Sequence, residues 1–138
     1  MILDDLCDKL SSGSIGLTSG TNLFADEWPD APDTAAVVAE AGGYAPVHAM
    51  SASPGQAVAE RPRVQVLTRA PKYRSARQLM HNIVQTLDGL NNTTINGTRY
   101  LQIVAVSSPT TMGVDASGLK RCVCNLDVIK ALHTSTST

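Results

Sequence analysis

From Arg74 to Leu87 the chain carries one unbroken helical period, and the residues on either side of it leave few folds open. Ala76, Leu79, Met80, Ile83, Val84 and Leu87 recur at i, i+3, i+4, i+7, i+8 and i+11 and share one face, while Arg74, Arg77, Gln78, His81, Asn82 and Gln85 lie off it. Upstream, Arg63 to Arg69 alternates and is rich in β-branched residues, which suits a half-buried strand, and Pro71 ends it. Downstream, Asp88-Gly89 closes the helix, because glycine takes the left-handed conformation of a last turn without strain. Asn96-Gly97 then sits between Thr93-Thr94-Ile95 and Arg99-Tyr100-Leu101. Both central residues of a type I′ hairpin turn need positive φ, so this pair predicts a hairpin. Between Glu60 and Pro109 the expected order is therefore strand, helix, hairpin, strand, with the apolar stripe laid on the sheet.

The remaining segments are shorter. Ile2, Leu3, Leu6 and Leu10 share a helical face, with Asp4, Asp5, Asp8 and Lys9 opposite and Ser11-Ser12-Gly13 ending the segment, so a short first helix is expected. Its acids stand early, where the helix dipole favours negative charge, and need no functional explanation. Asn22 to Ala25 reads as a short strand before Trp28-Pro29, the run through Asp33 as a loop, and Ala35 to Glu40 as another strand. Gly42 to Glu60 holds two prolines and no sustained period, which predicts a long loop and a candidate contact arm. Arg99 to Val106 is apolar on both faces and suits an interior strand. Pro109 to Gly118 reads as a connection, and Leu119 to Ile129 alternates again, with Cys122, Cys124, Leu126 and Val128 on one face. The expectation is a single α+β domain over 1–132, a mixed and mostly antiparallel sheet packed against two helices, followed by a flexible Ser/Thr tail at 133–138.

Composition removes several functions. Only Phe24, Trp28, Tyr44, Tyr73 and Tyr100 are aromatic, too few for a base- or sugar-stacking platform, and a formal net charge of -1 lacks the basic face of a nucleic-acid binder. No apolar run nears the roughly 20 residues that span a bilayer, and MILDDLCDKL has acids where a signal peptide is basic, so a soluble intracellular protein is expected. The three cysteines show no framework spacing and should be reduced thiols. The Asn-x-Thr triplets between Asn91 and Thr98 read as turn chemistry.

Chemistry is hard to place. Cys122-Val123-Cys124 puts two thiols on one side of a strand, but a structural zinc site needs four ligands, and Cys7, His48, His81 and His133 offer no partner spacing. A core-facing cysteine acts as a small hydrophobe, which is the reading preferred here over a metal- or thiol-dependent enzyme using these thiols and a histidine. His81 lies on a helix flank with no nucleophile motif nearby, and Asp26, Glu27, Asp30 and Asp33 fall in a turn-rich segment where acids face water or cap neighbours. No catalytic, cofactor or metal residues are assigned. The cluster of interest is basic: Arg61, Arg63, Arg69, Lys72, Arg74 and Arg77. Either it is a solvated strand end and helix, or Arg63, Arg69, Arg74 and Arg77 meet an acidic patch such as Asp26-Glu27 or Asp30 on a neighbouring subunit.

These same segments carry a family resemblance. The run Glu60 to Pro71 (ERPRVQVLTRAP), followed by Leu87 to Leu101 (LDGLNNTTINGTRYL) and Ser108-Pro109, resembles small tailed-bacteriophage minor capsid proteins, similar in fold to the tail terminators of long-tailed phages. The Met1 to Leu10 helix, Phe24 and Trp28-Pro29-Asp30 fit the same pattern. The resemblance implies a tail-terminator-like virion protein of the neck, assembled in the host cytoplasm. It would form a homohexameric ring at the head-proximal end of the tail tube. Such a ring stops tube polymerisation and meets a head-completion or stopper protein, while DNA passes through its lumen without being read. The alternative within the same class is a head-completion or minor capsid component on the head side.

Overall fold

The stripe on the long helix finds its sheet. The computed structural model describes residues 2–13, 16–26, 33–47, 59–106, 108–114 and 118–131. In chain order these form α1 (Ile2–Ser11), β1 (Leu23–Ala25), β2 (Ala35–Val47), β3 (Ala59–Ala70), α2 (Tyr73–Leu87), β4 (Leu90–Ile95), β5 (Thr98–Ala105), β6 (Thr110–Val114) and β7 (Lys120–Ala131). Among the described residues the strands make one seven-stranded sheet in the order β1-β2-β3-β7-β5-β4, with β6 also paired to β7. Only β1 and β2 run parallel; every other pair is antiparallel. The domain is therefore α+β, as the two periodicities predict.

The core lies between the helices and one face of the sheet. Ala76, Met80, Ile83 and Leu87 of α2 are buried, and Ile2, Leu3, Leu6 and Leu10 of α1 join the same cluster. The sheet contributes alternate residues: Ala36 and Val38, Val64 and Val66, Ile103, then Cys122, Cys124, Leu126 and Val128. A fully buried side chain of this size stabilises by about 1.5–3 kcal/mol, so this stripe-on-sheet contact dominates the fold. The Asn-Gly turn forms as expected, with φ of 50° at Asn96 and 82° at Gly97, and β5 is indeed interior, flanked by β4 and β7.

Two segments differ from the sequence reading. Gly42 to Glu60 is not wholly a loop, because β2 continues to Val47 and β3 begins at Ala59, pairing Gly43 with Pro62, Tyr44 with Arg61 and Val47 with Ala59. A positive-φ pair, Gly42 and Gly43, takes up register shifts in β2, which lets the ladder continue past residues that break the alternation. Pro62 has no N–H to donate, and the pairing of β3 with β7 skips from Glu60 to Arg63 around it. The tip at 48–58 lies outside the described residues. Pro109 to Gly118 likewise holds a strand, β6, which pairs Thr110 with Val123 and Val114 with Lys120. Five residues with one glycine show too little alternation to be seen alone. The tail at 133–138 also lies outside the described residues.

The acids of α1 are not all solvent-facing. Asp5 is only 4% exposed; it accepts hydrogen bonds from the Tyr100 hydroxyl and, at 3.1 Å, from Asn96 Nδ2, which also donates to Asp8 at 2.6 Å. This polar clamp fastens α1 to the β4–β5 hairpin. Burial, and then the Asp5 hydrogen bond, push the Tyr100 phenol well above its ordinary 10.0. Burial, followed by the charges of Asp4 and Asp8, pushes the Cys7 thiol from 9.0 up to about 11. Both folded-state values are raised, so the unfolded chain loses these protons first as pH rises. Stability should be complete below about pH 9 and fall progressively as pH climbs through about 11. Urea unfolding across that range checks this, and Cys7→Ala should move the onset of the fall towards the tyrosine range. An unchanged onset would rule out the Cys7 contribution.

A basic cleft beside the second helix

The six expected contact residues fall in different places. Arg63 and Arg69 alternate with the core-facing Val64, Val66, Thr68 and Ala70, so they point from the sheet face away from the helices. There Arg63 is engaged within its own chain: its Nε donates to Asp127 Oδ1 at 2.8 Å, and a second nitrogen reaches Oδ2 at 3.4 Å. The pair is part-exposed, 34% and 21% for the two side chains, and such pairs contribute about 0–1 kcal/mol. Arg69 is 6% exposed, with Arg121 directly across the ladder on β7. Its burial places it inside the sheet's packing, not on an open surface. Asp26 is exposed, with φ of 68° and its N–H donated to Val38 O at 2.8 Å; Glu27 lies outside the described residues.

Arg74 and Arg77 are brought together. Both are exposed on α2, one turn apart, and with Gln78, His81, Ser108 and Pro109 they line an open cleft of about 520 Å³. The helix supplies Arg74, Arg77 and His81 along one outer edge because i, i+3 and i+7 positions are neighbours on its surface. The β5–β6 connection supplies the opposite wall through Ser108 and Pro109. Among the described residues no acid lines the cleft, and the fifteen residues of α2 contain none. The first turn of α2 also lacks acids and its N-cap, Lys72, makes no side-chain capping bond, so cations stand at the positive end of the helix dipole. Among the described residues, neither Arg74 nor Arg77 has an ion-pair partner. Chemically, the cleft is a set of donors for a carboxylate or phosphate oxygen.

Among the described residues the groups of the alternative thiol or metal chemistry are not brought together. Cys122 and Cys124 are buried in the core, at 0% and 1% exposure, and Cys7, on α1, is buried as well. Burial raises the Cys122 thiol, with Arg77 and a hydrogen bond to Thr68 pulling the other way. His81 is an exposed helix residue, and His48 and His133 lie outside the described residues. Among the described residues no group of three His, Cys, Asp or Glu could hold a metal ion, and no helix is long and apolar enough to cross a membrane. Sequence reasoning placed Arg74, Arg77 and His81 off the apolar stripe without seeing them as one site. It could not have found Ser108, which reaches the cleft only through the path of β5.

A small α+β domain, with two helices on one face of a curled sheet and a basic cleft beside α2, is the class of structure that the described residues define. The comparisons with known proteins agree with that class. Residues 9–131 match the bacteriophage tail terminator protein family, and the chain belongs to that family. A chain from the virion of a native gene transfer agent particle shares the fold, with a TM-score of 0.58 at 14% identity, covering 91% of each chain. Another solved structure matches with a TM-score of 0.58 at 12% identity, covering 97% of this chain and 93% of that one. No curated protein matches in sequence. The protein is thus a tail-related structural component of a phage virion.

Proposed function

We propose that the protein is the tail terminator itself: a ring, hexameric by resemblance, that caps the head-proximal end of the tail tube, stops its polymerisation and receives the head-completion protein. The observation that carries this reading is the family match over residues 9–131, nearly the whole folded domain. The geometry supports it in two ways. A ring of identical subunits needs two different complementary surfaces on each copy, and α2 offers a basic face with no acid among its fifteen residues, while exposed acids lie elsewhere, among them Asp4, Asp8, Asp26, Asp33 and Glu40. The β2–β3 hairpin extends past the last core residue, Val64, and offers an arm for a neighbour or the tube.

In this reading the protein catalyses nothing and binds no cofactor, and DNA crosses the ring without sequence readout. Arg74 and Arg77 are the contact residues of the original six that remain open to a neighbour, with Asp26 among the acids they could meet. The purified protein should form closed rings by native mass spectrometry and negative-stain electron microscopy, and should cap tubes when mixed with tail tube protein. A chain that stays monomeric both alone and with tube protein would defeat the proposal. Rings that bind the portal side and ignore tube protein would favour the head-completion alternative.

A further inference from the structure

Two exposed ladders on different helices, one of two carboxylates and one in which each arginine is followed by a neutral hydrogen-bonding side chain, match each other in pitch. On α1, Asp4 and Asp8 are exposed one helical turn apart. On α2, Arg74 and Gln78, and Arg77 and His81, repeat the same i, i+4 spacing along the cleft. Side chains at that spacing stand about 5–6 Å apart at Cβ on any helix, so two carboxylates on one helix can meet two donors on another at once. Within the chain the ladders do not satisfy each other: Asp8 accepts from Asn96, and no ion pair joins Asp4, Asp8, Arg74 or Arg77 among the described residues. We propose that the cleft between α2 and the β5–β6 connection receives the acidic face of α1, Asp4 and Asp8, from a second copy of this chain.

This deepens the ring reading and rests on it. A patch on α1 that meets a different patch on α2 is a heterologous contact, which propagates head to tail and closes when the rotation between copies divides a full turn. Each copy would then give one acidic face and accept another, so no charge is left over. A nucleic-acid backbone fits the cleft less well. Two arginines neutralise few phosphates, and a net charge of -1 does nothing to attract a polyanion.

Charge reversal tests the assignment on the full chain. Arg74→Glu with Arg77→Glu makes both ladders acidic, and Asp4→Arg with Asp8→Arg makes both basic. Arg74 and Arg77 are exposed, so Arg74→Glu with Arg77→Glu should unfold at the wild-type temperature, whereas Asp4→Arg with Asp8→Arg also loses the Asn96–Asp8 hydrogen bond and should unfold a little lower; each should need about tenfold or more higher concentration to form rings, since like charges then face each other. Mixing the two variants should restore assembly, because alternating copies again place acid against base at every contact. Independently, Asp8→Cys and Gln78→Cys in one chain should crosslink between copies with a short bis-maleimide, as the three native thiols are buried.

Wild-type rings with unchanged assembly in both double variants would overturn this contact and leave the ring reading standing. A wild-type chain that never forms rings would overturn both. Rings that persist in Arg74→Glu with Arg77→Glu while retention of a short duplex DNA at low salt is lost would make the cleft a phosphate site and refute the carboxylate assignment.

Discussion

Gly43→Ala is expected to lower stability by about 3 kcal/mol and the melting temperature by on the order of 10 °C. A Cβ at this position would lie 2.4 Å from Arg61 O, 2.7 Å from Pro62 Cα and 2.8 Å from Arg63 N. All three are backbone atoms of β3, so no side-chain rotation relieves the clash. The backbone at Gly43 also has φ of +134°, which L side chains rarely adopt. Because β3 is held on its other side by β7, the strand that must yield is β2, and its outer half should peel from the sheet. Hydrogen exchange should therefore show lost protection at residues 43–47 and little change in β7. Gly42→Ala is the control: its φ is +86° but a Cβ there meets nothing within 4 Å, so it should cost only about 1 kcal/mol. Equal effects from the two substitutions would show that close approach of the strands is not what selects glycine at 43.

The second large effect is expected at Tyr100. Its side chain is fully buried, and its hydroxyl donates to the buried carboxylate of Asp5. Tyr100→Phe keeps the ring but leaves Asp5 with Asn96 as its remaining donor from the clamp, at a cost of about 2 kcal/mol. Tyr100→Ala opens a cavity as well and should cost about 4 kcal/mol or more. A double-mutant cycle of Tyr100→Phe with Asp5→Asn, followed by urea denaturation, should return a coupling of about 1–2 kcal/mol. A coupling near zero would mean the clamp holds α1 by packing alone. The clamp also bears on assembly, since Asp4 and Asp8 flank Asp5 on α1. If α1 loosens from the hairpin, its acidic face loses its fixed position, and ring formation should suffer even where the domain stays folded.

Much of this fold is written in local patterns. The stripe from Ala76 to Leu87, the turn at Asn96-Gly97 and the alternation from Cys122 to Val128 each point to one element, because burial selects apolar residues at the period of the backbone that carries them. The misread segments are those whose pairing comes from distant neighbours. The outer part of β2 holds Gly42, Gly43 and Pro46, a run that reads as a loop, yet β3 lies alongside and supplies the hydrogen-bond partners. β6 has five residues and forms because β7 presents an open edge to it. The β-propensity of such segments belongs to their partners more than to themselves.

The candidate site divides the same way. That Arg74, Arg77 and His81 avoid the apolar face follows from helical spacing, as does the absence of acids in α2, so the basic edge was determined by sequence alone. Which arginines were available was not. Strand alternation puts Arg63 and Arg69 on one face, but only the path of β7 brings Asp127 to the first and buries the second beside Arg121. The same is true of Asp5, an acid in a helix first turn like its neighbours until the β4–β5 hairpin closes over it and Tyr100 becomes its partner. Periodicity is a property of adjacent residues and can be read along the chain. The partner of a charge depends on which distant strand lies beside it, and that is decided only when the sheet closes.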